Sequence, residues 1–264
     1  MNRALETRGH TLLELAISMA LGLLVIVAVL SLYRGQRNAH DRAADNARIH
    51  DAAGTALDLI GQQVQMAGSD LPDTSTGLFG CSQARPTGSD ANPVCETLAS
   101  RSDGIVVRYA ADTVSTWPSA SGLPTDCLGQ AVGVQVTNRY YAKASSSTGE
   151  PELYCEGSGK ANSGQPLVEG IERLKIGYWL KGGLLAIAAS ALTREQWPLV
   201  VAVDVCVLAR GEANGAAART RYPDCDGAWV ISADTRARQA FWRRIAVRNG
   251  VTEGLKSAPA GGAP

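Results

Sequence analysis

The sequence predicts an α+β protein: one long N-terminal helix, membrane-embedded at its start and amphipathic beyond, packed on antiparallel β-sheet and held by disulfides. Three observations carry this expectation. Residues 15–33 form a run of nineteen positions without a charge, which at about 1.5 Å per helical residue spans roughly 28 Å, close to the hydrocarbon thickness of a bilayer. No proline occurs between residues 10 and 71, so nothing interrupts a helix there. From residue 70 onward, β-branched and aromatic runs alternate with glycine, proline and serine clusters, the pattern of strands joined by loops.

The first element is carried by "RGHTLLELAISMALGLLVIVAVLSLYRGQ", residues 8–36. A cleaved secretory signal has a shorter apolar core, of about 7–15 residues, followed by a small-x-small site; here "SLYRGQRNAHD" follows. A buried core helix is rarely so long and uncharged. A plain signal anchor fits the length but leaves the carboxylate at its lip, Glu14, unexplained. Thr11 and Glu14 also have the spacing of a capping box, in which Thr caps the helix and Glu reaches back to free amides. Arg3 and Arg8 precede the run, whereas Arg34, Arg37 and Arg42 follow it, so charge counting does not orient it. The cysteines do. All six (Cys81, Cys95, Cys127, Cys155, Cys206 and Cys225) lie beyond the run, and none forms a C-x-x-C pair. That removes the commonest zinc and redox spacings and points to disulfides in an oxidising compartment. The body is expected outside the cytoplasm and the first residues inside it.

The helix continues past the apolar run. Ile49, Ala53, Leu57, Ile60 and Val64 recur at three- or four-residue spacing and give one apolar stripe. Arg42, Asp45, Arg48, Asp51 and Asp58 fall mostly off it, as on a solvated face. Gly68 is the expected C-cap and Pro72 the stop. Strands are expected at "GIVVRYA" (104–110), "AVGVQVTNRYYAKA" (131–144), "EGIERLKIGYWL" (169–180), "LVVAVDVCVLAR" (199–210) and "QAFWRRIAVRN" (239–249), with a short helix at "SALTREQWP" (190–198). Alternation at Val132, Val134 and Val136, and at Val201, Val203 and Val205, is that of half-buried antiparallel strands.

Composition narrows the function. The 264 residues carry 25 basic and 25 acidic side chains, which argues against a nucleic-acid surface. Nucleophile-elbow, phosphate-loop and dinucleotide signatures are missing from the sequence. "PDCDG" places Asp224, Asp226 and Gly227 as in a calcium loop, but the twelfth position is Thr235 rather than a bidentate acid, so a turn is expected. His10, His40 and His50 all fall on the long helix without a catalytic partner, the last two expected in solvent. Trp117, Trp179, Trp197, Trp229 and Trp242 are expected in the core or on strand faces. No enzyme, cofactor or metal site is expected. The tail "KSAPAGGAP" (256–264) is low-complexity.

"G-H-T-L-L-E", from Gly9 to Glu14, resembles the class III leader motif of type IV prepilins, in which a peptidase cuts after Gly and Glu stands fifth in the mature chain. "ALDLIGQQVQMAG" (56–68), "FGC" (79–81), "LVEGIERLKIGYW" (167–179), "WPLVVAVDVCVLAR" (197–210) and "RIAVRN" (244–249) resemble the PilW-type minor pilins of type IVa pili. The resemblance implies the type IV pilin fold: a leader at 1–9, a transmembrane helix half at 10–33, an amphipathic half at 34–68, a β-rich periplasmic domain at 69–250 and a disordered tail at 251–264. It implies cleavage between Gly9 and His10, N-methylation of His10 (where Phe is usual), and a role for Glu14 in assembly and axial register. The implied function is a minor pilin that primes a type IV pilus and sits at or near its tip; a J-type minor pseudopilin of a type II secretion system shares the plan. The implied partners are other minor pilins, the major pilin, prepilin peptidase, the inner-membrane assembly platform and a tip adhesin, with the chain in the inner membrane and at the pilus tip. Six cysteines allow fifteen pairings, among which sequence alone cannot choose; neighbour order gives Cys81–Cys95, Cys127–Cys155 and Cys206–Cys225.

Overall fold

The structure, a computed structural model, describes residues 11–72, 76–89, 92–113, 116–160, 163–212 and 219–249. One helix, α1, runs from Leu12 to Met66 over 55 residues. The chain divides into two compact units, the first ending at Asp45 and the second beginning at Asn46.

From Leu15 to Tyr33, within the first unit, α1 is apolar on every side. Leu12, Leu13, Leu15, Ile17 and Met19 at its start and Val29, Leu30 and Leu32 further on are all exposed. A helix with no polar face belongs in lipid or among other apolar helices. The two serine hydroxyls of the run are satisfied within the helix: Ser18 Oγ donates to the Leu15 carbonyl at 2.9 Å and Ser31 Oγ to the Ala28 carbonyl at 2.8 Å. Neither therefore needs water. Asp45, placed by sequence on the solvated face, is buried instead.

In the second unit the helix is a core element. Ile49, Ala53, Leu57, Ile60 and Val64 are buried, as their spacing predicts, together with Ala56 and Ala67. The helix stops where the sequence changes. Gly68 has φ +81°, a left-handed conformation natural to glycine at a helix end, and a Cβ there would come within 2.9 Å of the Asn249 carbonyl oxygen. Its N–H donates to the Arg108 carbonyl at 2.8 Å.

Thirteen strands follow among the described residues: β1 (Leu78–Cys81), β2 (Ala84–Gly88), β3 (Pro93–Thr97), β4 (Gly104–Ala110), β5 (Gln135–Ala144), β6 (Pro151–Gly157), β7 (Gln165–Glu169), β8 (Ile171–Leu180), β9 (Ile187–Ala188), β10 (Val200–Arg210), β11 (Arg221–Pro223), β12 (Trp229–Ile231) and β13 (Arg238–Ala246). Five form an antiparallel sheet in the order β1-β4-β5-β6-β7, and four a second sheet in the order β13-β10-β8-β9. β2–β3 and β11–β12 are separate hairpins. All five strands expected from sequence are present, β5 starting at Gln135 rather than at residue 131. "SALTREQWP" forms two 3-10 turns, Ala189–Ala191 and Arg194–Leu199, instead of an α-helix.

One hydrophobic core joins α1 to the inner faces of both sheets, with Tyr109, Tyr140 and Leu153 from one and Leu174, Tyr178 and Val203 from the other. Polar pins cross it: Gln63 Oε1 on the helix accepts from Tyr109 Oη at 3.1 Å and from Asn138 Nδ2 at 2.8 Å. Burial pushes the Tyr109 phenol up to about 12, so it stays a donor at any physiological pH. Of the five tryptophans only Trp197 is buried in the core; Trp117 lies in a loop at 89 % exposure, against expectation. His50 is exposed to solvent but also meets Phe241 edge-on, ring centroids 4.8 Å apart.

Candidate assembly site

Gly9 and His10, the expected cleavage and methylation positions, lie outside the described residues. Glu14 lies in the first turn of α1. Its backbone N–H donates to Thr11 Oγ1 at 3.2 Å, and the Leu15 N–H donates to the Thr11 carbonyl at 3.1 Å. Thr11 is therefore a side-chain cap of α1. Beyond it the uncharged surface continues to Tyr33, and the helix is long and apolar enough to cross a membrane.

The second unit is braced by three disulfides that link neighbours along the chain: Cys81–Cys95, Cys127–Cys155 and Cys206–Cys225, with Cα separations of 5.6, 6.5 and 5.7 Å, all in the range a disulfide spans. The first fastens the β2–β3 hairpin to the five-stranded sheet. The second ties the loop between β4 and β5 to β6. The third fastens the β11–β12 turn to β10, so that Tyr222 covers Leu208 and Cys206 on the sheet's outer face. In that turn Asp224 Oδ1 accepts from the N–H groups of Asp226 and Ala228, both at 2.9 Å. The "PDCDG" segment is thus a turn closed on itself, as expected.

An ionic lattice that sequence reading missed joins the two sheets. Glu150, between β5 and β6, accepts from Arg210 at 2.5 Å and from both terminal nitrogens of Arg236, at 2.6 and 2.9 Å. Arg238, its side chain 5 % exposed, donates to Asp234 and to Glu172, each at 2.6–2.7 Å. The Arg236 hydrogen bonds hold the Glu150 carboxyl below its ordinary range, and those from Arg238 hold Asp234 well below its own. The members are up to 88 positions apart, Glu150 to Arg238, and no local spacing marks them.

The first unit offers an apolar helix with a carboxylate at its start; the second offers a covalently braced body. Among the described residues no group of three or more His, Cys, Asp and Glu side chains could hold a metal ion.

Comparison with known proteins agrees with the resemblance seen in the sequence. Residues 139–249, from within β5 to just past β13, match the family model Type IV Pilus-assembly protein W (PilW). A solved type IV-like pilin from Thermus thermophilus is similar at a TM-score of 0.46 and 17 % identity, over 77 % of this chain and 98 % of that one. No curated protein matches.

Proposed function

We infer, from a chain whose residues 139–249 match the PilW family, that this protein is a minor pilin, which primes a type IV pilus and remains at or near its tip. The observation that carries the reading is the pairing of that region with a helix whose first half is apolar all round and wholly exposed. In a bilayer that surface is buried in lipid; in a fibre it is buried among the helices of neighbouring subunits. The same residues serve both states, so transfer from membrane to fibre exchanges one apolar environment for another.

Glu14 sets the register of that transfer. A carboxylate carried to the centre of a membrane helix costs about 2.5–3.5 kcal/mol, so it demands a partner. Cleavage after Gly9 would create one: the ammonium of His10, on its own chain or on an adjacent subunit. A neighbour's ammonium matched to Glu14 fixes axial position, and a mismatch is penalised. The leader is residues 1–9, the body is periplasmic, and the partners are other minor pilins, the major pilin, prepilin peptidase and the assembly platform, with a tip adhesin beyond them.

The test is deletion and complementation in the source bacterium. Loss of surface pili with intact exoprotein secretion supports the reading; lost secretion with intact pili assigns the chain to a secretion pseudopilus instead. Complementation with Glu14→Ala should leave leader removal and membrane insertion intact while lowering crosslinking to partner pilins and pilus number. Wild-type piliation by Glu14→Ala would remove the register role. Intact-mass measurement of membrane-purified protein should show a chain beginning at His10; a chain beginning at Met1 in cells with active peptidase would sink the cleavage.

A further inference from the structure

The outer face of the five-stranded sheet, turned away from α1, carries a cleft of about 640 Å³ between β2 of the fastened hairpin and strands β5 and β6. That is within the size range of small-molecule sites, about 300–1,000 Å³. Its described lining is unusual in chemistry. Arg85 and Thr87 come from β2, Arg139 and Lys143 from β5, and Glu156 and Ser158 from the end of β6 and just beyond. Three cations therefore face one carboxylate, with hydroxyls between, and no aliphatic side chain is among the described lining residues.

The lining is built into the fold. Arg139 and Glu156, directly opposite in the strand register, are each 9 % exposed. Beside them on the same face Tyr141, itself part of the lining, stacks with Tyr154 at 5.9 Å, the rings 9° apart. Lys143 Nζ lies 4.3 Å from the Tyr154 ring centre, and Arg139 Nη2 donates to the Gly88 carbonyl at 3.2 Å. Arg85 is steadied by Glu96 across the hairpin at 2.7 Å, and Cys81–Cys95 fastens that hairpin to β1. Both walls are thus held before any ligand arrives. The hydroxyls are poised in opposite senses. Thr87 Oγ1 donates to the Val94 carbonyl at 3.4 Å, leaving lone pairs to accept; Ser158 Oγ accepts from the Thr137 N–H at 3.1 Å, leaving its hydrogen to donate.

We propose that this cleft binds an acidic saccharide, the sugar carboxylate meeting Arg85, Arg139 and Lys143 and the ring hydroxyls meeting Thr87, Ser158 and Glu156. Guanidinium and ammonium groups recognise carboxylate through charge-assisted hydrogen bonds, and a polyhydroxylated ligand uses the mixture of donors and acceptors around them. A peptide would need aliphatic subpockets, and no aliphatic side chain is among the described lining residues. A polyphosphate has no ring hydroxyl to donate to the buried Glu156. The inference stands on the cleft alone and not on the pilus reading.

The test is calorimetric titration of the full-length protein in nanodiscs with trigalacturonate, with maltotriose as the uncharged control and tripolyphosphate as the purely anionic one. Trigalacturonate should saturate one site, and its affinity should fall with added salt. Arg85→Gln and Lys143→Gln should each weaken it by about 10-fold or more, the loss of one charge-assisted contact. Thr87→Trp, which fills the cleft from the hairpin without removing a charge, should abolish binding with the melting temperature unchanged. No saturable heat with trigalacturonate, equal binding of maltotriose, stronger binding of tripolyphosphate, or wild-type affinity in folded Thr87→Trp would each overturn the proposal.

Discussion

The two halves of α1 follow the same helical geometry and obey opposite rules. In the first, apolar side chains cover every side and remain exposed within the chain; in the second, they form one stripe and are buried by it. Helix formation is therefore not what distinguishes the halves. The distinction lies in where the hydrophobic surface is removed from water, outside the chain for one half and inside it for the other. A charge at either place is costly, but the cost is read by different measurements.

The largest effect is expected from Ile60→Asp, which puts a carboxylate where the side chain has no exposure. It should destabilise the second unit by about 4 kcal/mol, lowering its melting temperature by roughly 10 °C or preventing folding. Leu24→Asp should leave that melting temperature unchanged and instead reduce the membrane-extractable fraction on fractionation. If Leu24→Asp melts as Ile60→Asp does, the halves are not independent.

Next comes Cys206→Ser with Cys225→Ser. Their sequence separation is 19, and opening a loop of that size costs about 3 kcal/mol in the chain-entropy model. Thermal melting of the second unit should show the loss, with membrane insertion intact. Acid should act more gently on the same unit. Glu150 and Asp234 are held below their ordinary values of 4.5 and 3.8 by their arginines. A depressed carboxyl stabilises above its unfolded value and loses that contribution as pH falls through its folded one. Melting temperature should therefore be level near neutrality and decline below about pH 4.5. Arg236→Gln should flatten the decline, while an unaltered curve would show the lattice contributes nothing. The solvent exposure of Glu150 keeps this effect below that of the disulfide.

The smallest effect is expected from Thr11→Ala, which removes a cap worth about 1 kcal/mol. It sharpens the comparison more than its size suggests. If Glu14 serves only to start the helix, Thr11→Ala should reproduce the crosslinking defect of Glu14→Ala. If Glu14 sets register, Thr11→Ala should crosslink like wild type.

What could be read in the sequence depended on whether one physical cause dominated a segment. The apolar run, the stripe from Ile49 to Val64 and the β-branched strands β4, β8 and β10 were legible because burial alone dictates their pattern. β2 and β3, "ARPTG" and "PVCET", escaped because they form a surface hairpin containing proline and glycine, held by a disulfide rather than by alternation. β6, "PELYCEG", escaped because Glu152 and Glu156 look solvated yet are buried against β5. Neighbour order of the cysteines coincided with the pairing found, since each bond fastens a hairpin or loop to an adjacent strand. Trp117 misled because aromatic character marks hydrophobic surface, not its burial. The cleft and the ionic lattice could not be seen at all, since each gathers residues that only the sheet register brings together.

The end of the described chain has a consequence for timing. β13 pairs with β10 from Ala202↔Ala246 to Arg210↔Arg238, Ile245 closes the core against Gly61, Arg243 meets Asp58, and the Asn249 amide reaches the Gln65 and Met66 carbonyls. The last described strand, with the residues just after it, therefore seals against the part of α1 that opens the second unit. Synthesis must reach residue 249 before that unit can close, and contacts so distant along the chain form slowly. Until residue 249 arrives, the growing chain stays open, threadable and accessible to oxidants and proteases alike.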